Sequence, residues 1–307
     1  MHTRMNRRTL LGAAAMTSIA LRATVSAQDK PSIATSMPIL QDIVANVAGE
    51  HADVFSILPA NSDPHTWEAN PEDMVRLAES GAFLFFGATL EPFVETGGWR
   101  RTVRDNDIPE MEVTQHVELI TIDEVIEHGD HEHDLRGGDP HIWLDPLTIV
   151  QAIPAIATFL GEVDPDNADA YVANGESYTA EIEALHADLE ESFSAIPEDR
   201  RKLLVLHDAW RYFAARYGFE IIGIVVDNPD TEVSAMGMVD LLKVVEESGV
   251  NVVFSEPQIQ VGELDVLADE GDVEIAVLLT DSFSDDADTY IELMEFNRDQ
   301  IVKYLGE

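Results

Sequence analysis

The 307-residue chain contains no cysteine. That excludes a disulfide framework, a thiolate metal site and a lipid anchor built on a Cys side chain. Any metal site must therefore be made of His and carboxylates, donors that suit borderline to hard divalent cations. Lysine is nearly as scarce: Lys makes up four of the 18 basic residues, against 59 Asp and Glu, for a formal net charge of −41. Such a field repels nucleic acid and anionic lipid and attracts cations. An acidic surface so poor in Lys fits a high-salt habitat, where ions screen its self-repulsion. A nucleophile elbow, a P-loop and a dinucleotide fingerprint are also missing, so the enzyme chemistries they mark have no support here.

What is present begins with an export signal over residues 1–27. Arg4, Arg7 and Arg8 form a basic region, Leu10 to Leu21 a short apolar stretch, and Val25-Ser26-Ala27 a small-residue cleavage site. The apolar stretch is too short and weak for a stable membrane span. Arg7-Arg8-Thr9-Leu10-Leu11 resembles a twin-arginine signal, which exports already folded protein. The expected location is the periplasmic or extracellular face of a membrane, with the chain either free or held by an uncleaved signal.

Two stretches share one pattern, Asp63-Pro64-His65-Thr66-Trp67 and Asp139-Pro140-His141-Ile142-Trp143. Each Pro fixes its own φ and biases the preceding Asp toward extended backbone. Each stretch reads as a rigid turn that presents one imidazole, with an aromatic ring two residues on to wall it from water. A lone His is most often a satisfied surface or core group, but two in the same stiff pentapeptide point to joint metal ligation.

Around these turns strands and helices alternate. Strands are expected at 32–37, 52–58, 82–86 and weakly 111–113, with helices from Pro38 to Gly49, Pro71 to Gly81 and near 92–101. After a helix at 149–160 comes the longest helical pattern, 165–196, with Gly175 inside it. Roughly 28 residues at 1.5 Å each would span ~42 Å, longer than one small domain, which suits a spine. Strands follow at 202–206, 221–226, 251–256 and 275–279, with helices at 208–217, 239–247 and 290–305. The expected architecture is α/β: two lobes, each a mostly parallel sheet flanked by helices, joined by one long rigid helix. The lobes take residues 28–163 and 198–307, and the spine 164–197.

Ligand sites in parallel sheets form beyond the carboxyl ends of strands. His65 and His141 come from the first lobe, His207 and Asp281 from strand ends of the second, so a site built from them lies in the cleft between lobes. Three imidazoles and one carboxylate fill the tetrahedron that Zn²⁺ prefers. Asp281 also fits a helix N-cap ahead of Ser282. Asp63, Asp139, Asp145 and Asp208 are candidates to hold the second ring N–H of the His residues. Residues 123–139 form a His- and acid-rich loop in which His128, His131 and His133 read either as a metal-collecting arm or as a solvated loop.

These residues match a family. Asn46-Val47-Ala48-Gly49, Asp63 to Glu68, Asp139 to Pro146, His207-Asp208-Ala209-Trp210 and Glu256-Pro257-Gln258 resemble the periplasmic zinc/manganese receptors that serve ABC importers. The resemblance runs from about residue 32 to the C-terminus. It implies a two-lobed fold around one long helix, with metal ligands at His65, His141, His207 and Asp281. It also implies transfer of the ion to a membrane permease by a monomeric carrier that is not an enzyme. In such receptors His at the third ligand position goes with zinc and Glu often with manganese, so His207 favours Zn²⁺, with Mn²⁺ the alternative. Many relatives are anchored through a lipidated Cys, which this chain lacks. A manganese or iron receptor is the nearer rival reading, and a His₃ zinc hydrolase with water in the fourth place the remoter one. Metal binding should weaken below about pH 6, as imidazoles near their usual pKa of ~6.5 gain protons. The rigid spine should limit lobe movement on loading.

Overall fold

The computed structural model describes residues 30–121, 125–128, 131–134, 137–226, 233–259 and 262–306, with backbone only for 125–128 and 131–134. The export signal read over residues 1–27 lies outside the described residues. The first lobe carries β1 (Ser32–Thr35), α1 (Pro38–Ala48), β2 (Asp53–Ser56), α2 (Pro71–Ala78), β3 (Ala82–Phe85), α3 (Gly97–Asp105) and β4 (Glu110–Glu112). Its strands are all parallel in the order β2-β1-β3-β4. Every residue of β3 is buried, as a strand covered on both faces requires. Leu84 enters one core, and Phe83 and Phe85 the other.

A short hairpin, β5 (Val125–His128) and β6 (His131–Asp134), stands where a loop is expected from the sequence; its register pairs positions 128 with 131 and 126 with 133. Then come α4 (Pro146–Val163) and α5 (Ala168–Ser194). The second lobe carries β7 (Lys202–Val205), α6 (Arg211–Tyr217), β8 (Glu220–Ile224), α7 (Ala235–Ser248), β9 (Val252–Ser255), α8 (Gly262–Gly271), β10 (Glu274–Val277) and α9 (Tyr290–Leu305). This sheet is also all parallel, in the order β10-β9-β7-β8.

Three local expectations need correction. The helix near 92–101 is two pieces, a 3₁₀ turn at Pro92–Glu95 and then α3, because Thr96 caps a fresh N-terminus by accepting from Trp99 N at 3.3 Å. The helix after His207 begins at Arg211 and leaves His207 and Asp208 in a turn. It ends at Gly218, whose φ of 71° suits glycine best. The whole of α8 goes unread in the sequence.

The spine α5 is 27 residues long, about 40 Å at 1.5 Å per residue. It buries Tyr171, Gly175, Tyr178, Ile182, Leu185, Leu189 and Phe193, packing on α1 and α4 of the first lobe and on α6 and α9 of the second. Gly175 is a close approach, not a weak point: a Cβ there would sit 3.0 Å from Ile153 Cγ2 of α4.

One hydrophobic core runs through both lobes, from Ile33, Val44 and Trp143 past Tyr178 and Phe193 to Leu203, Phe254, Leu279 and Tyr290. Hydrogen bonds cross the same seam. Trp143 Nε1 donates to Thr280 O at 2.8 Å, Tyr290 Oη to Trp143 O at 2.7 Å, and Tyr290 N to Asp42 Oδ2 at 2.9 Å. Trp143→Ala is therefore expected to cost about 3–5 kcal/mol, the range for deleting a buried aromatic. Urea unfolding measures this; a loss below about 1 kcal/mol would mean the seam does not depend on that ring.

Candidate metal centre

The two Asp-Pro-His-x-Trp stretches fold alike. In each, Asp Oδ1 accepts the backbone N–H of the His two residues on, at 2.9 Å in both: Asp63 for His65 and Asp139 for His141. This Asx turn fixes where the imidazole leaves the chain. Asp139 Oδ1 also accepts from His141 Nδ1 at 2.8 Å. That bond places the ring proton on Nδ1 and leaves the Nε2 lone pair for a ligand. The Trp143 ring lies 5.3 Å from the His141 ring and is itself buried, whereas Trp67 packs edge-on against Phe93 at 4.8 Å.

His207 follows β7, and its Nδ1 donates to Glu256 Oε1 at 2.7 Å. Glu256, just past β9, thus takes the part expected of Asp208, which pairs instead with Arg211. The signal for Glu256 was available: it ends an apolar strand and precedes a Pro, the same logic that singles out His207. Asp145 is also engaged elsewhere. It caps α4 by accepting from Leu147 N at 3.0 Å and takes Arg216 through two bonds of 2.9 and 2.6 Å. Asp281, four residues beyond β10, is fully buried. It caps no helix; Thr289 caps α9 by accepting from Glu292 N at 3.2 Å.

The structure brings His65, His141, His207 and Asp281 together. The three rings form a triangle with centroids 5.3, 5.4 and 5.8 Å apart. His65 Nε2 and His141 Nε2 are 3.3 Å apart, and His207 Nε2 is 3.8 Å from Asp281 Oδ2. A tetrahedral ion with bonds of about 2.0–2.1 Å needs donors ~3.3 Å apart. Donor atoms of His65, His141 and His207 all lie within 4.8 Å of one another, as do those of Asp63, His65 and Asp281, and of His207, Glu256 and Asp281. Among the described residues, His207 Nε2 and Asp281 Oδ1 are buried without a hydrogen-bond partner. Buried polar atoms are usually paired, so these two are open to a ligand, although atoms away from the cleft such as Trp99 Nε1 and Ser36 Oγ share that state. His141 and His207 are 4% and 2% exposed while His65 is half-buried, so the approach to the cleft passes His65.

Electrostatics match a cation. Burial acts to lower the His207 pKa, but Glu256, then Asp281 and Asp63, outweigh it and hold the group up at about 10. Asp281 is pushed up to about 6, first by burial and further by Glu256 and Asp63, against the pull of His207 and His141. The cleft therefore keeps a proton where a divalent ion would do the same neutralising work. His128, His131 and His133 fall on the β5–β6 hairpin upstream of His141. Their reading as a metal-collecting arm concerns side chains outside the described residues.

A family model described as zinc-uptake complex component A, periplasmic, matches residues 33–304. The chain is 29% identical over 279 residues to the manganese-binding lipoprotein MntA of Halalkalibacterium halodurans, covering 90% of this chain and 88% of that one. It is 29% identical over 320 residues to the iron-binding protein YfeA of Yersinia pestis, covering 99% of each. The periplasmic zinc-binding protein TroA of Treponema pallidum superposes with a TM-score of 0.78 at 24% identity, over 91% of this chain and 100% of that one, and so has the same fold. The family match takes in both sheets and the helix between them, and the chain belongs to the family of the periplasmic component A of zinc-uptake complexes, metal-binding receptors of ABC importers and not enzymes.

Proposed function

We propose that this receptor carries Zn²⁺, held by His65, His141, His207 and Asp281, and passes it to the permease of an ABC importer. The observation that carries the reading is the triangle of imidazoles, two of them bonded through Nδ1 to buried carboxylates, beside a buried Asp oxygen without a partner. Three neutral imidazoles and one carboxylate suit zinc by number, geometry and softness, and zinc stands far above manganese in the Irving–Williams order. In this reading residues 28–163 and 198–307 are the lobes and 164–197 the spine. The chain works as an exported monomer without a Cys-linked lipid, its acid-rich surface facing a salty medium, and His128, His131 and His133 collect metal near the cleft.

A manganese or iron cargo is the second reading, favoured by the names of the relatives from Halalkalibacterium halodurans and Yersinia pestis. Metal analysis of the purified chain, followed by competition between Zn²⁺ and Mn²⁺, separates the two. One tightly held zinc per chain, not displaced by excess Mn²⁺, is expected. Displacement by equimolar Mn²⁺ would hand the site to the second reading.

A further inference from the structure

The segment that delivers His65 is tied to the opposite lobe by a pair of residues outside the ligand set. Residues 59–69 form neither helix nor strand, and Pro64 alone among them is buried. The segment starts beside β1, where Leu58 N donates to Ser36 O at 2.9 Å, and Trp67 anchors its far side against Phe93. Between these points Asn61 crosses the seam. Its backbone N–H donates to Ser282 Oγ at 2.9 Å, and the single hydroxyl proton of Ser282 is shared between Asn61 Oδ1 and Phe283 O, both at 3.2 Å. Asn61 has a φ of 60°, a left-handed conformation that Asn tolerates better than most residues. The two sides differ in freedom. Asn61 is exposed, whereas Ser282 is buried between fixed neighbours: Phe283 packs on the shared core, and Thr280 O accepts from Trp143 Nε1.

Resting on the reading of His65 and Asp281 as ligands, we propose that Asn61 and Ser282 are positioning residues that form a latch across the mouth of the cleft, and that its opening sets how fast the ion enters and leaves. Asn61 lies four residues before His65, and Ser282 directly follows Asp281, so the pair joins two ligand-bearing loops, one from each lobe. The core that runs through both lobes opposes their separation. Lifting residues 59–69 is the smaller movement, because a segment with few buried residues and no strand or helix ladder opens locally first. That movement swings the half-buried His65 off the ion, leaves His141 and His207 in place, and has to break the latch. Neither Asn61 nor Ser282 is a ligand, so their bonds form with or without the ion and stabilise empty and loaded receptors alike. The latch therefore acts on the barrier between them and not on the equilibrium.

The test uses Ser282→Ala, which removes the hydroxyl and both bonds to Asn61. Asn61→Gly, which keeps the left-handed φ and the N–H but removes Oδ1, is the second variant should the first fold poorly. Release of Zn²⁺ into excess chromophoric chelator, at a rate independent of chelator concentration, should be about tenfold faster in Ser282→Ala, the size of one to two lost hydrogen bonds, and less than that in Asn61→Gly. The equilibrium affinity should stay within about threefold of wild type, so that association quickens with release. A purely structural role would displace His65 or Asp281, weaken the equilibrium affinity in step with faster release and leave association as it was. That result, or an unchanged release rate, overturns the proposal. His65→Ala tests the ligand reading beneath it: wild-type Zn²⁺ affinity in that variant would bring down both, whereas unchanged release in Ser282→Ala brings down the latch alone.

Discussion

His207→Ala should lower the affinity for zinc on the order of 100–1,000-fold. A four-ligand zinc site is worth about 10–16 kcal/mol in all, so one ligand carries roughly 3–4 kcal/mol. Each ~1.4 kcal/mol is a factor of ten. The loss has two parts. The ion loses a nitrogen donor, and the Glu256 carboxylate loses the Nδ1–H it accepts at 2.7 Å. A buried acceptor left unpaired costs about 1–3 kcal/mol, so the variant should also unfold earlier, and a melting curve must accompany the titration. Glu256→Gln separates the parts, because it keeps all four ligands and disturbs only the orienting carboxylate; loss of such a partner typically costs about 10–100-fold. Competition with a chromophoric chelator measures both variants. A His207→Ala affinity within about threefold of wild type would remove His207 from the ligand set.

The second large effect is on pH. In the metal-free chain His207 holds its proton up to a pKa of about 10, and Asp281 up to about 6. Bound metal requires both groups deprotonated, so protons compete with the ion. The sign follows: raising the pH removes the competitor and tightens binding. Between about 6 and about 10 the His207 proton leaves with each ion bound, which by itself makes affinity climb about tenfold per pH unit. Below about 6 the slope should steepen as Asp281 joins, and near 10 it should level off. Calorimetry at pH 8 in buffers of different ionisation heat counts the released proton directly. A flat affinity from pH 7 to 9 would show that His207 is already neutral there. The sequence alone places the whole effect near the ordinary imidazole value of ~6.5. It misses the shift because Glu256, Asp281 and Asp63 reach His207 only through the fold.

That contrast sets the limit of what the residues disclose by themselves. The two Asp-Pro-His-x-Trp turns are legible because their cause is local: Pro stiffens the Asp, and the Asp carboxylate holds the N–H two residues on. The strands are legible where an apolar run such as β3 needs both faces covered, and α5 is legible from its long apolar stripe. Glu256 is legible as a polar residue at a strand end, but its pairing with His207 is hidden because the two lie 49 residues apart. The hairpin is hidden because His and acidic residues carry little strand preference. Only Leu264 and Leu267 of α8 are buried, and the acids around them blur the stripe. Asp145 looks like a His partner by proximity in sequence, yet α4 and Arg216 hold it.

The core shared by both lobes has a bearing on transport. Prising the lobes apart would wet Trp143, Phe193 and Tyr290, and wetting about 400 Å² of apolar surface at ~25 cal/mol/Å² costs ~10 kcal/mol. That rivals the whole grip on the ion, so empty and loaded receptors are expected to present nearly the same silhouette, which scattering from the two forms would check. A permease that tells them apart has little outline to read. It has instead the mouth beside His65, behind which a divalent ion takes the place of the His207 proton and the local charge rises by about one unit.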